Sequence, residues 1–180
     1  GTYYVGVSGY PNDDYDPTLA ASGTAQSGGL YNLEVEVELV NDDRVTFPAS
    51  IPSPIRIPAE GTIGQAVPSV INIADARTIR DVNVRLDIQH EFVGDLEVIL
   101  FGPSGTAVTL INQRGGSNSQ GLRNVLFDDE AVARIANAPT PFTGSYRPEG
   151  SLSNFDGEDA AGNWTLVIND RLGIHTGQLI

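Results

Sequence analysis

The sequence predicts an all-β protein, a jelly-roll sandwich of two sheets. Three observations point there. Apolar residues recur with period two along most of the chain, helical periodicity is nearly absent, and 20 glycines and 11 prolines punctuate the runs. Many short strands separated by Gly/Pro turns fit a sandwich or jelly roll.

The elements follow in chain order. Thr2–Val7 is expected to be a half-buried strand. In Tyr31–Val40, Leu33, Val35, Val37 and Leu39 alternate with Glu34, Glu36 and Glu38, which predicts a strand with one apolar and one acidic face. Asn41–Pro58 carries Pro48, Pro52, Pro54 and Pro58. Proline cannot donate to a sheet ladder, so this stretch is expected to be a linker or an edge. Ile55–Ile57 and Ser69–Ile73 are short strand candidates. In Asp81–Gln89, Val82, Val84, Leu86 and Ile88 face one way and polar residues the other. Leu96–Phe101 is apolar on both faces save Glu97, so a central strand is expected. Gly102-Pro103-Ser104-Gly105 then reads as a tight turn into Ala107–Ile111. Gly115–Ser119 is a loop. Leu122–Phe127 and Trp164–Asn169 complete the clear strands, and a helical turn capped by Asp129 is expected near Glu130–Ala136.

Composition excludes several functions. There are 180 residues, which is one domain or slightly more, and no cysteine. Disulfides, thiol nucleophiles and zinc–thiolate sites are therefore ruled out. Two histidines rule out a multi-histidine metal site. Ten basic against 23 acidic side chains leave a net charge of −13. That argues against nucleic acid or an anionic membrane as partner and suits cation binding. No apolar run approaches the roughly 18 residues of a membrane span. The chain has no methionine, so it reads as a piece of a longer polypeptide.

Residues 79–179 carry an ordered set of motifs. They are Ile79-Arg80-Asp81-Val82-Asn83-Val84, Ile88-Gln89-His90, Gly94-Asp95-Leu96, Leu100-Phe101-Gly102-Pro103-Ser104-Gly105-Thr106 and Leu126-Phe127-Asp128-Asp129-Glu130-Ala131. Pro141-Phe142-Thr143-Gly144, Leu152-Ser153-Asn154-Phe155, Gly162-Asn163-Trp164-Thr165-Leu166, Val167-Ile168-Asn169-Asp170 and Gly177-Gln178-Leu179 follow. Their order and spacing resemble the P domain (P/Homo B, proprotein convertase P-domain) that follows the catalytic domain of kexin- and furin-like subtilases, the bacterial branch most closely. The resemblance covers about 125 residues. It implies a galactose-binding-domain-like jelly roll over 55–180. It also implies a final strand beyond Gly-x-Leu, which this sequence, stopping at Ile180, does not contain, so the last strand is expected to be truncated. Residues 1–40 resemble, more weakly, the end of a bacterial pre-peptidase C-terminal domain, through Tyr3-Tyr4-Val5-Gly6-Val7-Ser8-Gly9, Tyr15-Asp16-Pro17 and Gly29-Leu30-Tyr31-Asn32-Leu33. The expected organisation is thus a partial β segment over 1–40, a proline-rich linker over 41–54 and the P domain over 55–180.

Catalytic chemistry has little support. No serine sits in a nucleophile elbow, and Gly102-Pro103-Ser104-Gly105 has the wrong spacing. His90 is expected to pack or hydrogen-bond at a strand end, and His175 lies in a loop. A carboxylate pair for glycoside cleavage has no motif and no aromatic cleft behind it, since the single tryptophan reads as core. Asn163-Trp164-Thr165 matches a glycosylation sequon, but the asparagine opens a strand beside that tryptophan and is read as structural.

The acids suit calcium better, which takes six to eight hard oxygen ligands. Candidate clusters are Asp128-Asp129-Glu130, Asp156-Gly157-Glu158-Asp159, Asp95 and Asn169-Asp170. None fits an EF-hand loop, and Asn12-Asp13-Asp14-Tyr15-Asp16 lacks the required glycine. If the three strands from Leu96 to Phe127 each cross the sheet fully, Asp128 lies at the opposite end from Asp95. If the third crosses partly, the two could share an ion. Asp128 and Asp129 are the primary expected ligands, with Asp95 and Asp170 secondary.

The expected function is that of a non-catalytic, calcium-binding accessory domain. The resemblance implies a secreted bacterial parent, a protease of the serine endopeptidase type, whose catalytic domain this module docks on and stabilises. A carbohydrate- or surface-binding sandwich module is the alternative, to be marked by an exposed aromatic platform.

Overall fold

The computed structural model describes residues 32–39, 43–49, 55–57, 66–117, 121–172, 175 and 177–179. The Thr2–Val7 strand and the acidic run at Asn12–Asp16 lie outside them.

The described residues form eleven strands: β1 Asn32–Leu39, β2 Asp43–Pro48, β3 Ile55–Ile57, β4 Ala66–Ile73, β5 Ile79–His90, β6 Leu96–Phe101, β7 Ala107–Asn112, β8 Leu122–Phe127, β9 Phe142–Tyr146, β10 Gly162–Asp170 and β11 Gly177–Leu179. They make an all-β sandwich. One sheet has seven strands, with β5 at its centre, and the other has four in the order β4-β10-β6-β7. From Tyr31 onward the strands anticipated from the sequence are present within a residue or two, except that the one expected at Ser69–Ile73 starts three residues earlier, at Ala66. The expected central strand, β6, lies between β10 and β7 with Leu96, Glu97, Val98 and Leu100 buried. Its turn closes through Gly102 N–H to Thr106 O at 2.8 Å, and Glu158 accepts from the Ser104 and Thr106 hydroxyls.

The inward faces meet in one core. Val82, Val84, Leu86 and Ile88 of β5 pack toward Val98 and Leu100 of β6 and Leu166 and Ile168 of β10, all fully buried. Trp164 joins them, its ring 4.9 Å from Phe155 and its Nε1–H donating to Ala160 O at 3.0 Å. Burying one such side chain stabilises the fold by roughly 1.5–3 kcal/mol.

Three findings extend the sequence reading. The proline-rich stretch contains an edge strand, β2, whose Pro48 stands opposite Glu34 at the strand's last residue. Next, β9 pairs with β8 in parallel, a short strand that carries little alternation, and the register shifts where β8 bulges between Arg123 and Val125. The third concerns the anticipated helical turn, which is a 3-10 turn at Ile135–Asn137. Asp128, not Asp129, binds the backbone before it, accepting from Glu130 N–H at 2.7 Å.

Strand β5 is paired along both edges. On one edge it holds β8. On the other it holds two segments end to end: β11 pairs with His90 to Ile88, and β1 with Asp87 to Ile79. Ile88 pairs with both Leu122 and Leu179, which places β11 on the β1 side. β1 therefore fills the lane into which β11 points.

Candidate metal centre

Strand β5 is twelve residues long and sets two polar ends apart. Asp81 stands near its start and His90 at its finish, about 30 Å away at the usual strand rise.

At the Asp81 end, three loops meet. The chain after the 3-10 turn Leu152–Phe155 is strapped to β5 by Ile79 N–H to Glu158 O and Gly157 N–H to Ile79 O, both at 2.9 Å. This brings Asp156 beside Asp81. The loop after β8 carries Asp128, Asp129 and Glu130 to the same place. Asp128 N–H donates to Tyr146 O at 3.0 Å. Asp129 Oδ2 accepts from the Ser151 hydroxyl at 2.6 Å and from Ser153 N–H at 3.0 Å. Asp81 Oδ2 accepts from Asn83 Nδ2 at 2.9 Å.

Electrostatics mark this end as crowded with negative charge. The Glu130 carboxyl is held above the ordinary carboxylate range, first by sharing a hydrogen bond with Asp128, then by burial and by the charges of Asp81 and Asp128. Asp156 is raised too, first by burial and then by Asp81 and Asp129. Every charged neighbour named in these shifts is another acid.

At the opposite end sit the chain's two histidines. His90 is buried, with its Nε2 at 3.5 Å from Asp170 Oδ2. Its Nδ1 accepts from Phe92 N–H at 3.1 Å and lies 2.9 Å from Phe92 O. Asp95 is buried, with Oδ2 at 2.9 Å from His175 Nδ1, and the His175 ring stacks on Phe92 at 4.7 Å. Arg171 N–H donates to Asp95 O at 2.8 Å, which ties the two pairs together. His90 thus packs at a strand end as expected.

The four anticipated ligands therefore divide into Asp128 with Asp129 and Asp95 with Asp170, at opposite ends of the sandwich. Of the candidate cluster Asp156-Gly157-Glu158-Asp159, Asp156 lies beside Asp81. Glu158 holds the β6–β7 turn, and Asp159 Oδ1 accepts from Ala161 N–H at 2.9 Å. Asp81, Ser151 and Ser153 were not anticipated. Asp81 read as a strand's solvent-facing acid, and only the strap from the Leu152–Phe155 turn reveals its neighbours. The sequon residue Asn163 is exposed, with Oδ1 accepting from Asn72 Nδ2 at 3.0 Å.

The donor chemistry of the Asp81 end fits a hard cation, being oxygen throughout with mutually repelling charge. Among the described residues no three His, Asp or Glu side chains are gathered closely enough to form a metal cage. Backbone carbonyls and hydroxyls would have to complete the shell.

Residues 79–180 match the Proprotein convertase P-domain family. A protein named calcium-dependent protease from Trichormus variabilis is 27% identical over 109 residues, which cover 59% of this chain and 14% of that protein. The chain thus spans about a seventh of that relative's length. The serine protease of Aeromonas sobria superposes with a TM-score of 0.46 at 15% identity, over 84% of this chain and 36% of that one. The same protease in its complex with the chaperone ORF2 gives 0.41 at 16%, over 84% and 35%. With its motifs in order and 79–180 matched, the chain belongs to the proprotein convertase P-domain family, a non-catalytic accessory domain of proteases.

Proposed function

We propose that this P domain is a calcium-stabilised accessory module of a secreted bacterial serine-type protease, docking on and supporting that enzyme's catalytic domain. The supporting observation is the carboxylate end, where Glu130 is raised first by its hydrogen bond with Asp128 and Asp156 first by burial, with the charges of Asp81, Asp128 and Asp129 adding to these shifts. The relative named calcium-dependent protease supports the same reading. Asp128 and Asp129 are the assigned ligands, with Asp81, Glu130 and Asp156 supplying further negative charge. A bound calcium ion would supply positive charge among these acids.

The loops gain most from that arrangement. Asp128 and Asp129 each commit an oxygen to backbone N–H groups, so the loop after β8 and the Ser151–Ser153 turn are already bent around the site. Asp95 and Asp170 lie at the other end, Asp95 hydrogen-bonded to His175 and Asp170 beside His90. A sugar-binding role has less behind it: among the described residues no aromatic side chain stands exposed.

Isothermal titration with calcium tests the assignment. Saturable heat is expected for the wild-type chain and loss of it for Asp128→Ala/Asp129→Ala, with Asp95→Asn unaffected. Unchanged affinity in the double variant would sink it.

A further inference from the structure

We infer that the side-chain amide oxygen of Asn83 is a ligand of the cation at the carboxylate end. This rests on the calcium reading of that end and adds to it a neutral donor from the central strand. Along β5 the outward row runs Asp81, Asn83, Arg85, Asp87, Gln89. Asp81, Arg85, Asp87 and Gln89 are partly exposed, as polar residues on the outer face of a sheet usually are. Asn83 is the exception, at 6% exposure. A buried asparagine ordinarily has hydrogen-bond partners for both ends of its amide. Asn83 has one for its nitrogen and none for its oxygen.

The nitrogen end is committed, because Nδ2 donates to Asp81 Oδ2 at 2.9 Å. That bond also fixes which way round the amide lies. Turning it over would set Oδ1 against a carboxylate oxygen, two acceptors face to face. Oδ1 therefore stays buried without a donor. The neighbouring groups are of the wrong kind to supply one. One step past the Val84–Phe127 pair of the β5–β8 ladder, Asn83 stands level with Asp128. The Glu130 carboxyl shares a hydrogen bond with Asp128 and lies within the field of Asp81. An ionised carboxylate has no proton to give, so acids surround an acceptor that they cannot satisfy.

A hard cation satisfies the orphaned oxygen and the crowded carboxylates together. Calcium accepts asparagine carbonyl oxygens beside carboxylates in its shell. A neutral oxygen has a particular use here, since it adds a ligand without adding a negative charge next to Asp81 and Asp128. Among the described residues no three His, Asp or Glu side chains form a cage, so donors of another kind have to take part. Asn83 is such a donor. Its position on β5 joins the site to the centre of the seven-stranded sheet, whereas Asp128 and Asp129 come from the loop after β8. A buried water is the other group that fits a lone acceptor. Water in that place would leave calcium affinity indifferent to Asn83.

Calcium titration and thermal unfolding of wild type, Asn83→Leu and Asn83→Asp provide the test. Asn83→Leu keeps the shape and removes the oxygen, and a loss of roughly tenfold or more in calcium affinity is expected. Asn83→Asp keeps an oxygen and adds a charge. It should melt below wild type in chelator and gain more from calcium than wild type does, a pair of opposite shifts that a purely structural asparagine does not give. In nitrogen-15 spectra the Asn83 side-chain NH2 signals, identified by their absence from Asn83→Leu, should move as calcium is added. Wild-type affinity in Asn83→Leu, unmoved Asn83 signals, or a calcium gain in Asn83→Asp no larger than in wild type overturns the assignment of Asn83 and leaves calcium at this end standing. No calcium uptake by wild type overturns both.

Discussion

Gly177 shows how closely the histidine end is packed. A Cβ there would lie 2.1 Å from His90 Cδ2 and 2.6 Å from Gln89 O, far inside contact distance. Gly177→Ala must therefore displace β11 or the His90 ring. Overpacking of this kind costs about 1–3 kcal/mol, to be read as a lower urea midpoint at unchanged slope. Trp164 gives the complementary case. Trp164→Phe keeps most of the apolar surface but leaves Ala160 O without its donor, and a loss of about 1–3 kcal/mol is expected in the same assay. The sequence disclosed Trp164 as core because it alternates with Leu166 and Ile168. It did not disclose Asp81, which alternation places on a solvent-facing row. Its partners arrive from residues about 50 and 75 positions away, and period-two patterning carries no information at that range.

Among the elements, legibility followed burial on one face. β5, β8 and β10 have one inward row of apolar residues, and their bounds could be read to within a residue or two. β9, β11 and β2 are short, and main-chain pairing to a neighbour defines them more than any pattern does. The β6–β7 turn was legible from Gly102-Pro103-Ser104-Gly105, but its anchor was not. Glu158 reaches it from more than fifty residues away and takes both hydroxyls. Glu158→Ala should therefore loosen this hairpin alone. Faster amide exchange at Gly105 and Thr106, with the β10 amides unchanged, is the expected result. Equal acceleration throughout would mean that Glu158 acts on the whole fold.

For the whole molecule, the division into two ends decides how stability responds to pH. Glu130 and Asp156 have raised affinity for protons in the folded state, so their contribution to stability is full below the ordinary carboxylate range of about 4 and is lost as pH rises through their folded values. Glu149 works the other way. Arg114 holds its carboxyl below the ordinary value, so its contribution is present at neutral pH and lost on acidification. Without calcium, the carboxylate end should thus weaken between the upper carboxylate range and neutrality. Glu130→Gln should flatten that slope in urea unfolding at constant ionic strength. A slope identical to wild type would mean that Glu130 plays no part in it. The −13 net charge, first an argument about which partners to exclude, thereby acquires a location: part of it gathers at the start of β5.

Calcium linkage distinguishes the two ends. An ion that binds only the folded chain stabilises it by RT ln(1 + [L]/Kd). The decisive experiment is thermal unfolding in calcium and in chelator, for wild type, Asp128→Ala/Asp129→Ala and Asp95→Asn. The melting temperature should rise with calcium for wild type and Asp95→Asn and stay fixed for the double variant. A calcium-dependent rise that survives in Asp128→Ala/Asp129→Ala, or is absent from wild type, would refute calcium binding at the carboxylate end.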